Sequence, residues 1–273
     1  MSAAVSVPTR RKLSPRKRAQ RLRWAQYALL VVLVAVAGLN MNVAQVQRTF
    51  FRPEFIVRTI TQGLGWALAN TIIYTVGAFL FGLVLGTVLA MMKLSSVGPY
   101  RWLATAYIEL FRGLPAIIVF MVFSLLPLAF EGLRIPFDPM GTVWLALGLV
   151  SGAYMAETIR AGIQAVPKGQ VEAARSLGMP SGMAMRKIVL PQAFRIITPP
   201  LTNELILVTK DSSLVYVIGL SATAYELTKY GKDLSVSTAS LTPLVVAGLS
   251  YLIITLPLSV LVRRMEAKAK RAR

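Results

Sequence analysis

From Trp66 to Met92 the chain contains no charged side chain and a nearly unbroken series of Leu, Val, Ile, Phe, Ala and Gly. A helix of that length is about 40 Å long, more than the roughly 30 Å hydrocarbon core of a bilayer. Lipid offers no hydrogen-bond partner to the backbone, so a segment at that depth satisfies its own N–H and C=O groups and becomes a helix. Comparable apolar runs occur at 25–39, 105–130, 141–157, 196–220 and 243–262. The chain is therefore expected to be an all-α integral membrane protein with about six transmembrane helices. The fifth span in chain order, 196–220, is interrupted by Pro199-Pro200, Asn203-Glu204 and Lys210-Asp211, and reads as a discontinuous span. The expected divisions are a basic tail at 1–24, a first span at 25–41, an amphipathic surface segment at 42–65, a transmembrane core at 66–262 and a basic tail at 263–273.

The first span has a competing reading as a secretory signal, because Ala35-Val36-Ala37 can pass for a cleavage site. Its basic region is long for that purpose, which favours a retained span. Gly77, Gly82 and Gly86 recur at spacings that let helices approach closely in lipid, a packing role.

Charge fixes an orientation. With the N-terminus taken as cytoplasmic, most of the 30 lysines and arginines fall in the inner segments, so both termini are expected inside a plasma (inner) membrane. The net charge of +19 sits in blocks beside apolar runs, which suits anionic lipid and argues against nucleic acid as a partner. The absence of Cys and His removes thiolate chemistry, the commonest general base and the usual metal ligands. No catalytic or metal-binding set is expected. No Walker A string is present either, so the chain binds no ATP and no other cofactor of its own.

On the cytoplasmic side of this topology lies a loop at 167–191. Residues 170–177 favour helix, Gly178 suits a helix end needing positive φ, Pro180 blocks continuation, and Ser181 can cap a second helix. The result is a compact knob kept slim by Ala173, Ala174 and Gly178. The string is Glu172-Ala173-Ala174, three residues, Gly178, nine residues, then Ile188-x-Leu190-Pro191. It resembles the EAA loop of membrane subunits of ATP-binding-cassette importers, with every fixed position filled.

Further strings resemble permeases of the polar amino acid uptake family, which includes histidine, glutamine, arginine and opine transporters. They are Arg112-Gly113-x-Pro115, Ala153-Tyr154 with Glu157 and Arg160, Gly169-Gln170, Pro191-Gln192, Asn203, and Lys210-Asp211-Ser212-Ser213-Leu214. The resemblance runs from about Gly65 to the C-terminus. It departs at Leu114, Val119 and Ser212, where the family commonly has Thr, Gln and Thr. It implies a five-helix importer-permease core, to which the basic first span is an addition. It also implies ATPase subunits that use ATP-Mg, a second permease (the same chain or a paralogue) completing a dimer, an external solute-binding protein, and an amino acid as substrate.

Two groups of residues follow. For ATPase coupling, the loop offers Val171, Glu172, Ala173, Ala174, Leu177, Gly178, Ile188, Leu190 and Pro191, with Val171, Ala174 and Leu177 forming an apolar stripe. Glu172 either meets a basic residue of the ATPase or pairs with Arg175. For the substrate path, polar groups at membrane depth are the candidates: Glu157, Asn203, Glu204, Lys210 and Asp211, with Asn70 and Thr71 at the mouth of the second span. Structural ion pairs, Glu157 with Arg160 and Lys210 with Asp211, are the alternative. A secondary transporter explains the polar residues but not the loop, and a membrane enzyme lacks catalytic groups.

Overall fold

The computed structural model describes residues 15–217 and 222–271, and these fall into two units, 1–49 and 50–273. The first holds α1 (Pro15–Asn40), which extends the expected span back through the basic residues at 16–23, and most of α2 (Val43–Phe50). Residues 1–14 of the basic tail and 272–273 of the last tail lie outside the described residues.

The second unit begins with α3 (Pro53–Thr59), where Pro53 suits the first helical turn because its missing N–H would have no partner there. A π-helical turn at Ile60–Leu64, kinked at Gly63, carries the chain into α4 (Gly65–Leu94). The segment 52–64 is less of a free surface element than its sequence suggests. The Arg52 N–H donates to Thr242 Oγ1 at 3.1 Å, and the Tyr230 hydroxyl donates to the Thr59 carbonyl at 2.8 Å.

The third expected span is two helices, α5 (Gly98–Gly113) and α6 (Ala116–Ala129), bent by 103° at Leu114-Pro115. Proline forces the residue before it out of the helical region, and Leu114 is accordingly extended at φ −86°, ψ 137°. α7 (Met140–Gln164) follows, then α8 (Lys168–Ser176), α9 (Ser181–Ala184) and a π-helical turn at Met185–Val189. α10 (Leu190–Asp211) is continuous through Pro199-Pro200, so the expected break is displaced to Ser212, where a 3-10 segment (Ser212–Val217) begins. Residues 218–220 of that expected span are not among those described. After a 3-10 turn at Ala222–Ala224 come α11 (Leu227–Thr238) and α12 (Thr242–Arg271).

Among the described residues, four helical stretches are long and apolar enough to cross a membrane: Pro15–Asn40, Val43–Leu94, Met140–Gln164 and Thr242–Lys268. A fifth counts if the bent α5–α6 pair is one span. The difference from six is α10: its 22 residues reach about 33 Å, but Asn203, Glu204, Lys210 and Asp211 keep it below that apolarity.

α4 and α7 form the central pair. An added Cβ at Gly82 would sit 2.5 Å from Ser151 Oγ, and one at Gly86 would sit 2.8 Å from the Gly152 carbonyl oxygen. The glycines therefore do what small residues do at membrane helix contacts, bringing backbone against backbone. α5, α6, α10 and the α11–α12 pair pack around these two helices. Tyr74, Phe120, Leu147 and Met155 fill the middle of the core. Outward faces are lined by Val84, Val88, Leu249 and Ile253, the chemistry expected where acyl chains are the solvent.

Candidate functional site

The loop at 167–191 is a rigid corner. α8 ends in a Schellman motif: the Gly178 N–H donates to the Arg175 carbonyl at 2.9 Å, and the Met179 N–H donates to the Ala174 carbonyl at 3.1 Å. Gly178 adopts φ +82°, open to glycine and strained for other side chains. Pro180 then stops the chain and α9 starts. Ser181 does not cap α9 as expected; its Oγ accepts a hydrogen bond from Arg175 Nη1 and so ties the second helix back to the first. No ion pair joins Glu172 to Arg175 among the described residues, because that guanidinium is turned to Ser181.

The expected apolar stripe divides. Ala174 is buried, and Val171 packs inward against a cluster containing Ala90, Ile163, Val166, Val189 and Ile197. Leu177, by contrast, is 87% exposed. Glu172, Ala173, Gly178 and Pro191 are also exposed, while Ile188 and Leu190 are half-buried. The root of the loop is thus packed onto the ends of α4, α7 and α10, and its tip presents Leu177, the most exposed of the loop's large apolar side chains. Gln192 Nε2 bonds both the Ile188 carbonyl (2.9 Å) and the Gln170 side chain, closing the loop at its base.

The polar candidates at membrane depth separate into two kinds. Asn203 and Lys210 are exposed on α10, with Glu204 and Asp211 half-buried on the same helix. Arg112, at the α5–α6 break, and Asp211 are the electrostatic neighbours of Glu204. Arg112 also lies 5.5 Å from the centre of the Tyr154 ring, whose hydroxyl bonds the Arg112 carbonyl at 3.4 Å. The structure therefore adds Arg112 to the set. Its string was readable, but its nearness to α10 was not. Lys210 acts on Asp211 electrostatically, and no close ion pair joins them among the described residues.

Glu157, Asn70 and Thr71 belong elsewhere. Both oxygens of Glu157 are engaged, Oε1 by Lys93 Nζ and Oε2 by Arg160 (Nε at 2.9 Å, Nη2 at 2.7 Å), so the structural ion pair is what forms. Asn70 Nδ2 donates to the carbonyls of Thr223 (3.0 Å) and Tyr225 (2.9 Å). Thr71 Oγ1 accepts from the Leu227 N–H at 3.2 Å. The side chains of Asn70 and Thr71 are spent on backbone groups of an otherwise irregular segment, which would be unsatisfied in the interior without them.

One buried acid had no signal in the sequence. Glu226 is fully buried and caps α11, accepting the N–H groups of Thr228 and Lys229, both at 2.6 Å, and the Tyr251 hydroxyl at 2.8 Å. Burial, the largest influence, raises its carboxyl above the usual range, and these donors oppose the rise. Beyond it, Lys229 Nζ bonds Asp233 Oδ1 at 2.9 Å.

Residues 79–271 match the family described as binding-protein-dependent transport system inner membrane component. This chain belongs to that family. Among relatives of this inner membrane component, the arginine transport system permease protein ArtQ of Bacillus subtilis is 40% identical over 204 residues, covering 74% of this chain and 90% of that protein. The glutamate/aspartate import permease protein GltK of Escherichia coli is 34% identical over 223 residues, covering 79% and 98%. A solved structure described as an amino acid ABC transporter with histidines superposes with a TM-score of 0.68 at 37% identity, covering 75% of this chain and 93% of that one. A bacterial ABC transporter for the acidic polysaccharide alginate shares the fold alone, with a TM-score of 0.67 at 15% identity. The component is a multi-pass inner membrane transport subunit rather than an enzyme.

Proposed function

We propose that this chain is the membrane-spanning permease subunit of an ABC importer that carries an amino acid across the plasma membrane, driven by ATP hydrolysis in a separate subunit. The observation that carries the reading is the family match together with relatives, 34–40% identical, named as arginine and as glutamate/aspartate permeases. Those relatives differ in the charge of their side-chain cargo, so the shared element is the zwitterionic backbone of an amino acid. Glu204 and Asp211 offer carboxylates to an α-ammonium, and Lys210 and Arg112 offer cations to an α-carboxylate, with Asn203 beside them. An amphoteric face of this kind suits a zwitterion better than a simple cation or anion.

The ATPase contact is the exposed tip of the 167–191 corner, with Leu177 as the apolar anchor, Glu172 as the charge for a basic partner residue, and Gly178 setting the angle. A leucine this exposed at the tip of a polar knob is apolar surface that a partner's groove would remove from water. Both termini are cytoplasmic by the distribution of lysine and arginine, which puts this corner on the side where ATP-Mg is available to the ATPase. The assembly comprises two permease chains, identical or paralogous, two ATPases and an external binding protein that delivers the substrate. Uptake of labelled arginine, glutamine and glutamate by cells lacking and then regaining the gene tests the reading, with at least one label expected to depend on the gene. A flat response across the panel contradicts it. Pull-down of an ATPase that survives Glu172→Lys with Leu177→Asp contradicts the docking site.

A further inference from the structure

α3 is held to the rest of its unit at both ends. The Arg52 N–H bonds Thr242 Oγ1 at the start of α12, and the Tyr230 hydroxyl of α11 bonds the Thr59 carbonyl. Between these pins the segment does not close on α12. A cavity of about 440 Å³ lies there, lined by ten residues of which nine are apolar. Phe51, Ile56 and Ile60 form one wall, and Val246, Leu249 and Ile253 the other. Leu249 and Ile253 are 58% and 60% exposed, so the cavity is an open-sided groove. The one polar lining residue, Ser250, spends its Oγ–H on the Val246 carbonyl at 2.8 Å.

The surroundings say what fills it. α12 is long and apolar enough to cross a membrane, and its lining residues span about 12 Å of helix axis, from Val245 to Ile253. The open side therefore faces acyl chains and runs parallel to them. Packed apolar seams do not keep voids of this size, and water has too few polar partners here to fill one. At the Thr242 end the hydrocarbon surface gives way to a cation. Arg52 is anchored there through its backbone, and its side chain is 40% exposed. Its Nη1 lies 3.9 Å from Glu54 Oε1, and an exposed pair at that separation is weak enough for a phosphate to compete. A guanidinium offers a phosphate two parallel donors. Residues 50–64 also carry Arg58 and no acid other than Glu54, so the rim is cationic.

We infer that this groove binds one acyl chain of an anionic phospholipid, with the phosphate on Arg52 at the level where α12 enters the membrane. The lipid chain completes the packing between α3 and α12 that the protein leaves open. This holds whichever substrate the permease carries.

Phosphatidylglycerol and phosphatidylcholine, each with a diazirine midway along one acyl chain, are the probes. The full chain, with the subunits that copurify with it, is reconstituted in nanodiscs containing one or the other, irradiated, and mapped residue by residue. Phosphatidylglycerol label is expected to concentrate on the groove walls, at Phe51, Ile56, Ile60, Val246, Leu249 and Ile253. Leu249→Trp puts a larger side chain into the groove from a position exposed enough to accept it. Displacing about two methylene groups should lower that label on the order of tenfold. Leu252→Trp, on the same helix outside the groove, should leave it unchanged. Arg52→Gln should lower the phosphatidylglycerol label about fivefold, the worth of one basic residue beside an anionic headgroup, and Arg52→Lys should restore it. Phosphatidylcholine label should be weaker and indifferent to Arg52. Label spread evenly over the exposed face of α12, and untouched by Leu249→Trp, overturns the inference in favour of ordinary annular lipid. Groove residues that take no label overturn it in favour of a protein cover, and equal labelling by the two lipids overturns the anionic headgroup.

Discussion

Replacing Gly178 isolates backbone geometry from every contact. A Cβ at this residue meets nothing within 4 Å, so alanine introduces no clash. What it introduces is a side chain at φ +82°, a conformation that costs an L-residue roughly 1–2 kcal/mol. That lowers the ratio of native to opened corner by about 5- to 30-fold. An opened corner loses the two Schellman bonds at 2.9 and 3.1 Å and with them the aim of Leu177. The corner is exposed and its root is packed separately, so membrane insertion and yield should be unaffected. Asparagine tolerates the left-handed region better than alanine, and a β-branched residue tolerates it worst. The expected order of substrate-stimulated ATP hydrolysis in the reconstituted complex is therefore Gly178, then Asn, Ala and Val. Each variant is compared at equal permease content. A Gly178→Val complex that couples as well as wild type would refute the geometric argument.

Three further outcomes are expected. Gly86→Leu places a side chain where even a Cβ falls 2.9 Å from Met155 Cβ, and should lower the thermal midpoint by an amount corresponding to about 1–3 kcal/mol or more; a neutral melt contradicts the close approach of α4 and α7. Glu157→Ala leaves Lys93 and Arg160 facing each other without their shared carboxylate, whereas Lys93→Ala leaves Glu157 paired with Arg160, so the first should destabilise more in detergent melts. Glu226 holds its proton more tightly folded than unfolded, because burial raises its carboxyl above 4.5. Its contribution is therefore fully present below that value and is lost as pH rises through the folded value, giving a downward slope of midpoint with pH that Glu226→Gln should remove.

What could be read in advance followed from local chemistry. The charge-free run at 66–92 became α4, and the order helix, Gly178, Pro180, helix came out as a Schellman corner, because each depends on residues a few positions apart. The break at Leu114-Pro115 also had a local signal, but it was hidden inside an apolar run that looked continuous. Pro199-Pro200 misled in the other direction: the helix runs on through both, and each proline removes only one intrahelical N–H donor, those to the Arg195 and Ile196 carbonyls. Partners distant in sequence were not legible. Lys93 is 64 residues from Glu157, and the carbonyls that occupy Asn70 lie more than 150 residues away. Glu226 was invisible for a related reason: a polar stretch with no apolar periodicity gave no hint that its acid would be enclosed between two membrane helices.

The glycine seam between α4 and α7 has a mechanical consequence. At Gly82 against Ser151 and Gly86 against Gly152 the helices touch with almost no side chain between them, and Phe81 and Leu85 close over Gly148 and Gly152 beside that contact. A methyl group added at Gly82 or Gly86 would already sit within 3 Å of α7, so neither helix can slide or turn past the other without driving these close-set atoms together. The pair therefore behaves as a stator. Movement of the core during the transport proposed above is left to the seams made of larger side chains, those of α10 and of the α5–α6 elbow, beside Arg112, Glu204 and Lys210.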